Sequence, residues 1–327
     1  MTADDQRFAI PDTVSDEARQ KMLQAWQLFR QFPQAGSQFP TTPEEWAEQR
    51  NNRNAMAEYF QKPYLDALAP EIVEMEVAGL PAISVRVDTP NPQPGVVVYL
   101  HGGAFTYYSA RSSLKAAAMV AKATGRRVVS LDYPLAPEAK FMEVTGATLR
   151  AVARIAEETP PEQMAIFGTS AGGSIAAGTT LRMRDEGHAM PAALVLHSPS
   201  TDCNWSGDSF LTMGDRDPFM EEHEVHLRLQ TYVEPKDYGH PYASPALGDY
   251  TPGFPPTLIQ TGTREFLLSD SVRLYRAIRD AGSEAVLDLY EGMPHVFATM
   301  FDGTPESDTA FEVARSFLDR TLTQSVA

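Results

Sequence analysis

From residue 71 onward the chain alternates short apolar runs with amphipathic stretches, and that rhythm constrains the fold more than any other feature. The apolar runs are 72–77, 83–87, 95–100, 127–131, 164–167, 192–197, 257–261 and 285–290. Several are continuous rather than alternating, as in Val96-Val97-Val98-Tyr99-Leu100, the pattern of strands buried on both faces. Helical periodicity fills the intervals 114–124, 144–157, 171–185, 267–281 and 309–322. Strand and helix in alternation predict an α/β fold, a mostly parallel eight-stranded sheet with helices on both faces. No helical pattern separates the first two runs, so they are expected to pair antiparallel at one edge. Hydrophobic residues are 43% of the 327, enough for such a core and too many for a disordered chain.

Two segments depart from the rhythm. Before residue 70 lie two helical patterns. Met22, Trp26, Phe29 and, with a slip, Phe32 mark the first. The second opens with Thr42-Pro43-Glu44-Glu45, an N-cap Thr, a Pro at the first helical position and a Glu that closes a capping box. Trp46, Met56, Tyr59 and Phe60 follow; they are expected to pack, with a substrate entrance as the sharper alternative. The other departure runs from Cys203 to His240, where no strand is evident and Trp205, Phe210, Met213, Phe219 and Met220 crowd together. It is too long for a plain loop. The expected organisation is therefore a catalytic domain of residues 71–202 and 241–327. Residues 1–70 and 203–240 form helical cap segments over the sheet's carboxyl edge, where open α/β sheets bind ligands.

Three motifs fall on that edge. Gly168-Thr169-Ser170-Ala171-Gly172-Gly173 follows the apolar run 164–167 and precedes a helix. This is G-x-S-x-G in a strand, turn and helix context, which exposes a serine hydroxyl above a sheet at a helix N-terminus. Small neighbours let strand and helix pack closely around a strained turn. The bland alternative is a tight turn without chemistry. His101-Gly102-Gly103-Ala104-Phe105 follows the run 95–100, and its glycines let backbone amides approach a developing oxyanion. His295, in Met293-Pro294-His295-Val296, ends the last strand and stands last in the chain order nucleophile, acid, histidine. The acid is expected at Glu265, just past the run 257–261, with Asp270 and Asp202 as alternatives. His223-Glu224-Val225-His226 spaces its histidines three apart, whereas a zincin helix needs four and a third ligand. It is read as a solvated cap helix, so no metal is expected.

Charge and cysteine content narrow the partners. Lys and Arg number 27 and Asp and Glu 43, a net charge of −16, with an isoelectric point near 4.8. Such a chain repels phosphate backbones and anionic lipid, so neither nucleic acid nor membrane is an expected partner. Cys203 is the only cysteine, which rules out an intramolecular disulfide and a multi-cysteine metal site. Met1-Thr2-Ala3-Asp4-Asp5-Gln6-Arg7 lacks the basic and apolar regions of a secretory signal, and the cytoplasm is the expected location.

Together these motifs resemble the bacterial hormone-sensitive-lipase-like esterases, α/β hydrolases of the His-Gly-Gly type. The resemblance spans residues 70–325. It includes Asp132-Tyr133-Pro134-Leu135-Ala136-Pro137-Glu138, similar to the family's Asp-Tyr-Arg-Leu-Ala-Pro-Glu, and Ser198-Pro199-Ser200-Thr201-Asp202. It implies an α/β-hydrolase fold, an oxyanion hole from the amides of Gly102, Gly103 and Ala171, and a cap. It also implies hydrolysis of short acyl esters without a cofactor, often in a homodimer joined through the last strand. Ala104 stands where the family has a third glycine. Thr169 replaces the commoner Asp, as in the Gly-Thr-Ser-Ala-Gly branch, and Glu265 replaces the usual Asp. The expected enzyme is a serine carboxylesterase using Ser170, His295 and Glu265 on a small-molecule ester. Phe105, Tyr107, Trp205, Phe210 and Phe219 are expected to line its apolar pocket. The alternatives are a lactonase, an amidase, a long-chain lipase, a metallohydrolase, or a binding protein on the same scaffold. Plant gibberellin receptors resemble the family but lack the histidine, which this chain keeps as His295.

Overall fold

The computed structural model describes residues 9–31, 39–214, 217–220, 222–251 and 253–322. Its strands are β1 (Glu71–Val77), β2 (Leu80–Arg86), β3 (Val96–Leu100), β4 (Arg127–Leu131), β5 (Met164–Thr169), β6 (Ala193–His197), β7 (Thr257–Gly262) and β8 (Ala285–Tyr290). They form one eight-stranded sheet in the order β1-β2-β4-β3-β5-β6-β7-β8. The pairs β1–β2 and β2–β4 are antiparallel and the rest are parallel, so the predicted antiparallel edge includes a second junction. Ala78 and Gly79, with φ of 51° and 82°, close the β1–β2 hairpin and set Val77 opposite Leu80. That register starts β2 ahead of the apolar run at 83.

The helices are α1 (Asp16–Gln31), α2 (Pro43–Leu68), α3 (Leu114–Thr124), α4 (Phe141–Ala156), α5 (Ala171–Asp185), α6 (Asp208–Met213), α7 (Glu222–Tyr232), α8 (Leu268–Asp280), α9 (Phe297–Met300) and α10 (Pro305–Thr321). α3 and α5 keep their predicted bounds. α10 starts earlier than expected because Thr304 caps it by accepting the Ser307 amide, with Pro305 next.

Successive strand residues feed two separate cores, as the period of two requires. Val96, Val98 and Leu100 pack with Leu149 and Val152 of α4, Ile175 of α5 and Ile278 of α8. Val97 and Tyr99 pack on the other face with Met119 and Val120 of α3 and Phe311 and Leu318 of α10. Full burial of each such side chain contributes about 1.5–3 kcal/mol. Both faces are covered, which is why the strands read as continuous apolar runs.

The N-terminal segment divides. Val14, Ala18 and Met22 are buried in the main core, and Ser15 donates to Glu306 through its amide (2.8 Å) and hydroxyl (2.7 Å). Phe32 and residues 1–7 lie outside the described residues, as does the Phe29 side chain. α2 opens with the expected capping box, Glu45 N donating to Thr42 Oγ1 at 3.2 Å. Between Cys203 and His240 the described residues contain α6 and α7 and no strand. No described helix is long and apolar enough to cross a membrane. Because β3, β5, β6, β7 and β8 run parallel, the loops after them gather at one edge, and all the predicted site residues of the sheet lie there.

Candidate active site

Ser170 occupies the one residue between β5 and α5, with φ 55° and ψ −121°. A non-glycine residue pays about 1–3 kcal/mol for such a backbone, so surrounding contacts must enforce it. The glycines supply them. A Cβ on Gly172 would stand 2.1 Å from the Leu100 carbonyl oxygen, and one on Gly168 2.4 Å from that of Gly172. The Ser170 amide donates to the His197 carbonyl at 2.8 Å, and the Ser170 carbonyl accepts from Gly173 N at 2.9 Å. The strand, turn and helix are thus locked on backbone atoms, and the Ser170 side chain is left facing a cavity.

His295 Nε2 lies 3.0 Å from Ser170 Oγ, and His295 Nδ1 lies 2.6 Å from Glu265 Oε2. Glu265 is fully buried and its other oxygen accepts from Ser198 Oγ (2.9 Å), the Gly262 amide (3.1 Å) and Thr261 Oγ1. Burial alone would raise the Glu265 carboxyl; hydrogen bonds from His295, Thr261 and Gly262 outweigh it and hold the group below the ordinary value. Ser198 also accepts from the Val296 amide at 3.1 Å, so one hydroxyl ties the carboxylate to the histidine loop. A carboxylate on Nδ1 fixes the tautomer whose Nε2 lone pair accepts the serine proton.

The other two carboxylates are engaged elsewhere. Asp270 Oδ2 accepts the amides of Thr201 (2.6 Å) and Asp202 (3.0 Å), and burial raises its carboxyl well above the usual range. Asp202 pairs with Arg273 and accepts from Ser206 and Asn204. Neither has a hydrogen bond to His295 among the described residues.

The loop after β3 folds tightly over Ser170. Gly103 (φ 122°), Ala104 (48°), Phe105 (65°) and Tyr108 (70°) all take positive φ. A Cβ on Gly103 would meet the Tyr107 carbonyl at 2.3 Å, so only glycine fits. One on Gly102 would stand 3.2 Å from Ser170 Cβ, which places that residue directly beside the serine. Among the described residues, the amides of Gly102, Gly103 and Ala171 donate to no protein acceptor. His101 supports the loop from below: its ring stacks on Tyr133 at 4.3 Å and its Nδ1 lies 2.7 Å from Gly102 O.

A cavity of about 610 Å³ opens over these groups, and Ser170, His295, Gly102 and Gly103 line it. Of the five aromatics expected there, Tyr107 and Phe219 line it and three do not. Phe105 stacks on Tyr232 at 4.0 Å in the sheet core. Trp205 stacks on Phe210 at 4.8 Å and both pack on Phe266, in a cluster of their own. Their rings gain more from one another than from a wet cavity. The wall comes instead from α1, α2 and the 217–228 stretch, through Leu28, Met56, Phe60, Met220 and Arg228. Met56 and Phe60 thus answer the entrance reading, while Trp46 is buried and Tyr59, 75% exposed, does not line the cavity. His226 sits against the Trp205 ring and 2.9 Å from Gln230, and no metal-binding cluster occurs among the described residues.

A family model for the alpha/beta hydrolase fold matches residues 97–299. An acetyl-hydrolase of Streptomyces hygroscopicus is 34% identical over 69% of this chain and 76% of its own. An esterase of Acinetobacter venetianus is 28% identical over 76% of this chain and 84% of its own. A crystal structure of an esterase from the bacterial hormone-sensitive lipase family superposes with a TM-score of 0.81 at 28% identity, covering 94% of this chain and 99% of that one. The chain belongs to the α/β-hydrolase fold family and is a serine hydrolase acting on ester bonds. Within that class it is a hormone-sensitive-lipase-like esterase.

Proposed function

We propose that this esterase is a carboxylesterase for short-chain acyl esters, working through Ser170, His295 and Glu265 without a cofactor. The observation that carries the reading is the hydrogen-bonded chain Ser170–His295–Glu265 on the floor of the cavity. Ser170 Oγ attacks the ester carbonyl carbon while its proton passes to His295 Nε2. The oxyanion is held by the amides of Gly102, Gly103 and Ala171, each such donor being worth about 10²–10³ in rate. The C–O bond to the alcohol breaks, and His295 returns the proton to the leaving oxygen. His295 then deprotonates a water that attacks the acyl-enzyme, releasing the acid and restoring Ser170. Glu265 stays ionised and stabilises each imidazolium; its extra methylene relative to Asp still delivers a 2.6 Å contact.

The short-chain reading draws support from the name of the acetyl-hydrolase relative. Within the proposed cap segments 1–70 and 203–240, over a catalytic domain of 71–202 and 241–327, α2 and residues 219–220 and 224–228 supply cavity wall, while Val14, Ala18 and Met22 pack in the core instead. A homodimer would form through β8, an edge strand whose Val286 and Leu289 are exposed. The testing experiment is hydrolysis of p-nitrophenyl esters from acetate to palmitate by the wild type and Ser170→Ala. Fast turnover of acetate and butyrate that vanishes in the variant is expected. Preference for palmitate would replace the short-chain reading with a lipase, and turnover by Ser170→Ala would remove the serine from the mechanism.

A further inference from the structure

The loop that carries Gly102 and Gly103 runs through three non-glycine residues at positive φ, Ala104, Phe105 and Tyr108. A backbone like this persists only where its surroundings over-determine it. Its own hydrogen bonds are few: the Thr106 and Tyr107 amides donate to the Gly103 carbonyl, each at 3.0 Å. His101 and Tyr133 support it from below, and α2 packs across it from above. Arg50 Nε donates to the Thr106 carbonyl at 2.9 Å. Its Nη2 donates to the Ala136 carbonyl at 2.5 Å and to Glu138 Oε2 at 2.6 Å, and Nη1 to Glu138 Oε1 at 2.9 Å. The Ala136 amide in turn donates to the Phe105 carbonyl at 3.0 Å. One guanidinium therefore ties the strained turn to the 132–138 segment packed against it. Glu138 grips it in a two-pronged pair, the geometry that suits Arg and not Lys. Two further ties from the same helix frame it: Tyr107 Oη donates to Gln49 Oε1 at 2.7 Å, and Gln61 Nε2 donates to the Arg111 carbonyl at 2.8 Å.

We propose that Arg50 is a positioning residue for ester hydrolysis, fixing the Gly102–Gly103 amides at the oxyanion through its grip on the Thr106 and Ala136 carbonyls. The inference rests on the reading of those amides as oxyanion donors. An oxyanion forms only along the reaction path, so a loosened loop slows the chemical step and spares ground-state binding.

The experiment compares wild type, Arg50→Ala, Glu138→Gln and Ser170→Ala on p-nitrophenyl butyrate, with inhibition by a phenylboronic acid that forms a tetrahedral adduct. In Arg50→Ala kcat is expected to fall about 10- to 100-fold, as for a misplacement on the order of 1 Å, with KM changed less than about threefold. Boronate affinity should weaken in step with kcat. Glu138→Gln, at a half-exposed position, should show the same pattern at about threefold. A wild-type kcat in Arg50→Ala, a loss confined to KM, or an unchanged boronate affinity would each overturn the proposal. Should Arg50→Ala not fold, a wild-type kcat in Glu138→Gln overturns it instead. Turnover by Ser170→Ala would sink the reading of the site itself, an outcome distinct from failure of the Arg50 role.

Discussion

Two helices frame the site and are held by different means: α5 starts just after Ser170 on the cavity floor, and α2 lines the cavity wall. α5 is rich in Ala, Gly, Ser and Thr and is buried along nearly its whole length between the sheet and α4. Its first turn is fixed by contacts so close that an added methyl would overlap backbone atoms. α2 is longer and mostly polar, and only Trp46 and Gln61 are buried. Its C-terminal Tyr64, Leu65 and Leu68 pack partly buried on the core, and its cavity-side face is tied to the loop beneath by side-chain hydrogen bonds that Arg50 and Gln61 donate and Gln49 accepts. The floor of the site is thus set by steric exclusion and the wall above it by a few polar ties. Steric exclusion leaves one geometry. Polar ties can be lost one by one while the sheet stays folded.

Substitutions can break or sharpen that contrast. The largest effect belongs to the floor: Ser170→Ala and His295→Ala should each lower kcat/KM at least about 10⁴-fold, and the double variant should be little worse, measured by steady-state ester hydrolysis. Glu265→Gln should cost less than either, on the order of 10⁴-fold where they approach about 10⁶-fold, because the imidazole loses its fixed tautomer and the charge that stabilises it. Asp270→Asn and Asp202→Asn should leave the rate near wild type, and a collapse in either would move the acid. Gly172→Ala should destabilise by about 3 kcal/mol or more, seen as a drop in the denaturant midpoint, because its Cβ meets two backbone carbonyls.

Above the floor, Asp217 sharpens the comparison. It is fully buried and accepts the Phe219 and Met220 amides, both at 3.0 Å. Burial, partly offset by the nearby His295 charge, raises its carboxyl to about 6 from 3.8. A raised carboxyl contributes stability that is full below pH 3.8 and is lost as pH rises through about 6. Asp217→Asn keeps the acceptor and removes the charge. It should therefore gain up to about 3 kcal/mol over wild type at pH 8 relative to pH 4, read from denaturant unfolding at the two pH values. The smallest effect is expected at Tyr59, whose ring is 75% exposed: Tyr59→Ser should change stability by less than about 0.5 kcal/mol.

The same contrast explains what could be read from the sequence. Strands buried on both faces announce themselves as apolar runs, and the Ser170 turn carries glycines that nothing else replaces, so the sheet and its edge were legible. Glu265, Asp270 and Asp202 are all readable as carboxylates near the sheet's edge; which of them meets His295 depends on the fold, where Glu265 hydrogen-bonds its Nδ1 while Asp270 binds backbone amides and Asp202 pairs with Arg273. The cavity wall was not legible. Aromatic residues signal burial but not which neighbour covers them, so Phe105, Trp205 and Phe210 were expected beside the substrate and lie in cores. Arg50 sits in a polar helix far in sequence from the loop it braces, and no local pattern marks a side chain whose partner carbonyls lie 56 and 86 residues along the chain. α9 follows His295 directly and is too short to give a periodicity.

The most direct test of the account is titration of the folded protein with an organophosphate ester, followed by mass spectrometry of its peptides. The account predicts one phosphoryl group per chain, on Ser170, with activity falling in proportion and labelling slowed when His295 or Glu265 is replaced. Full inactivation with the label on another residue, or turnover that persists after Ser170 is fully labelled, would contradict it.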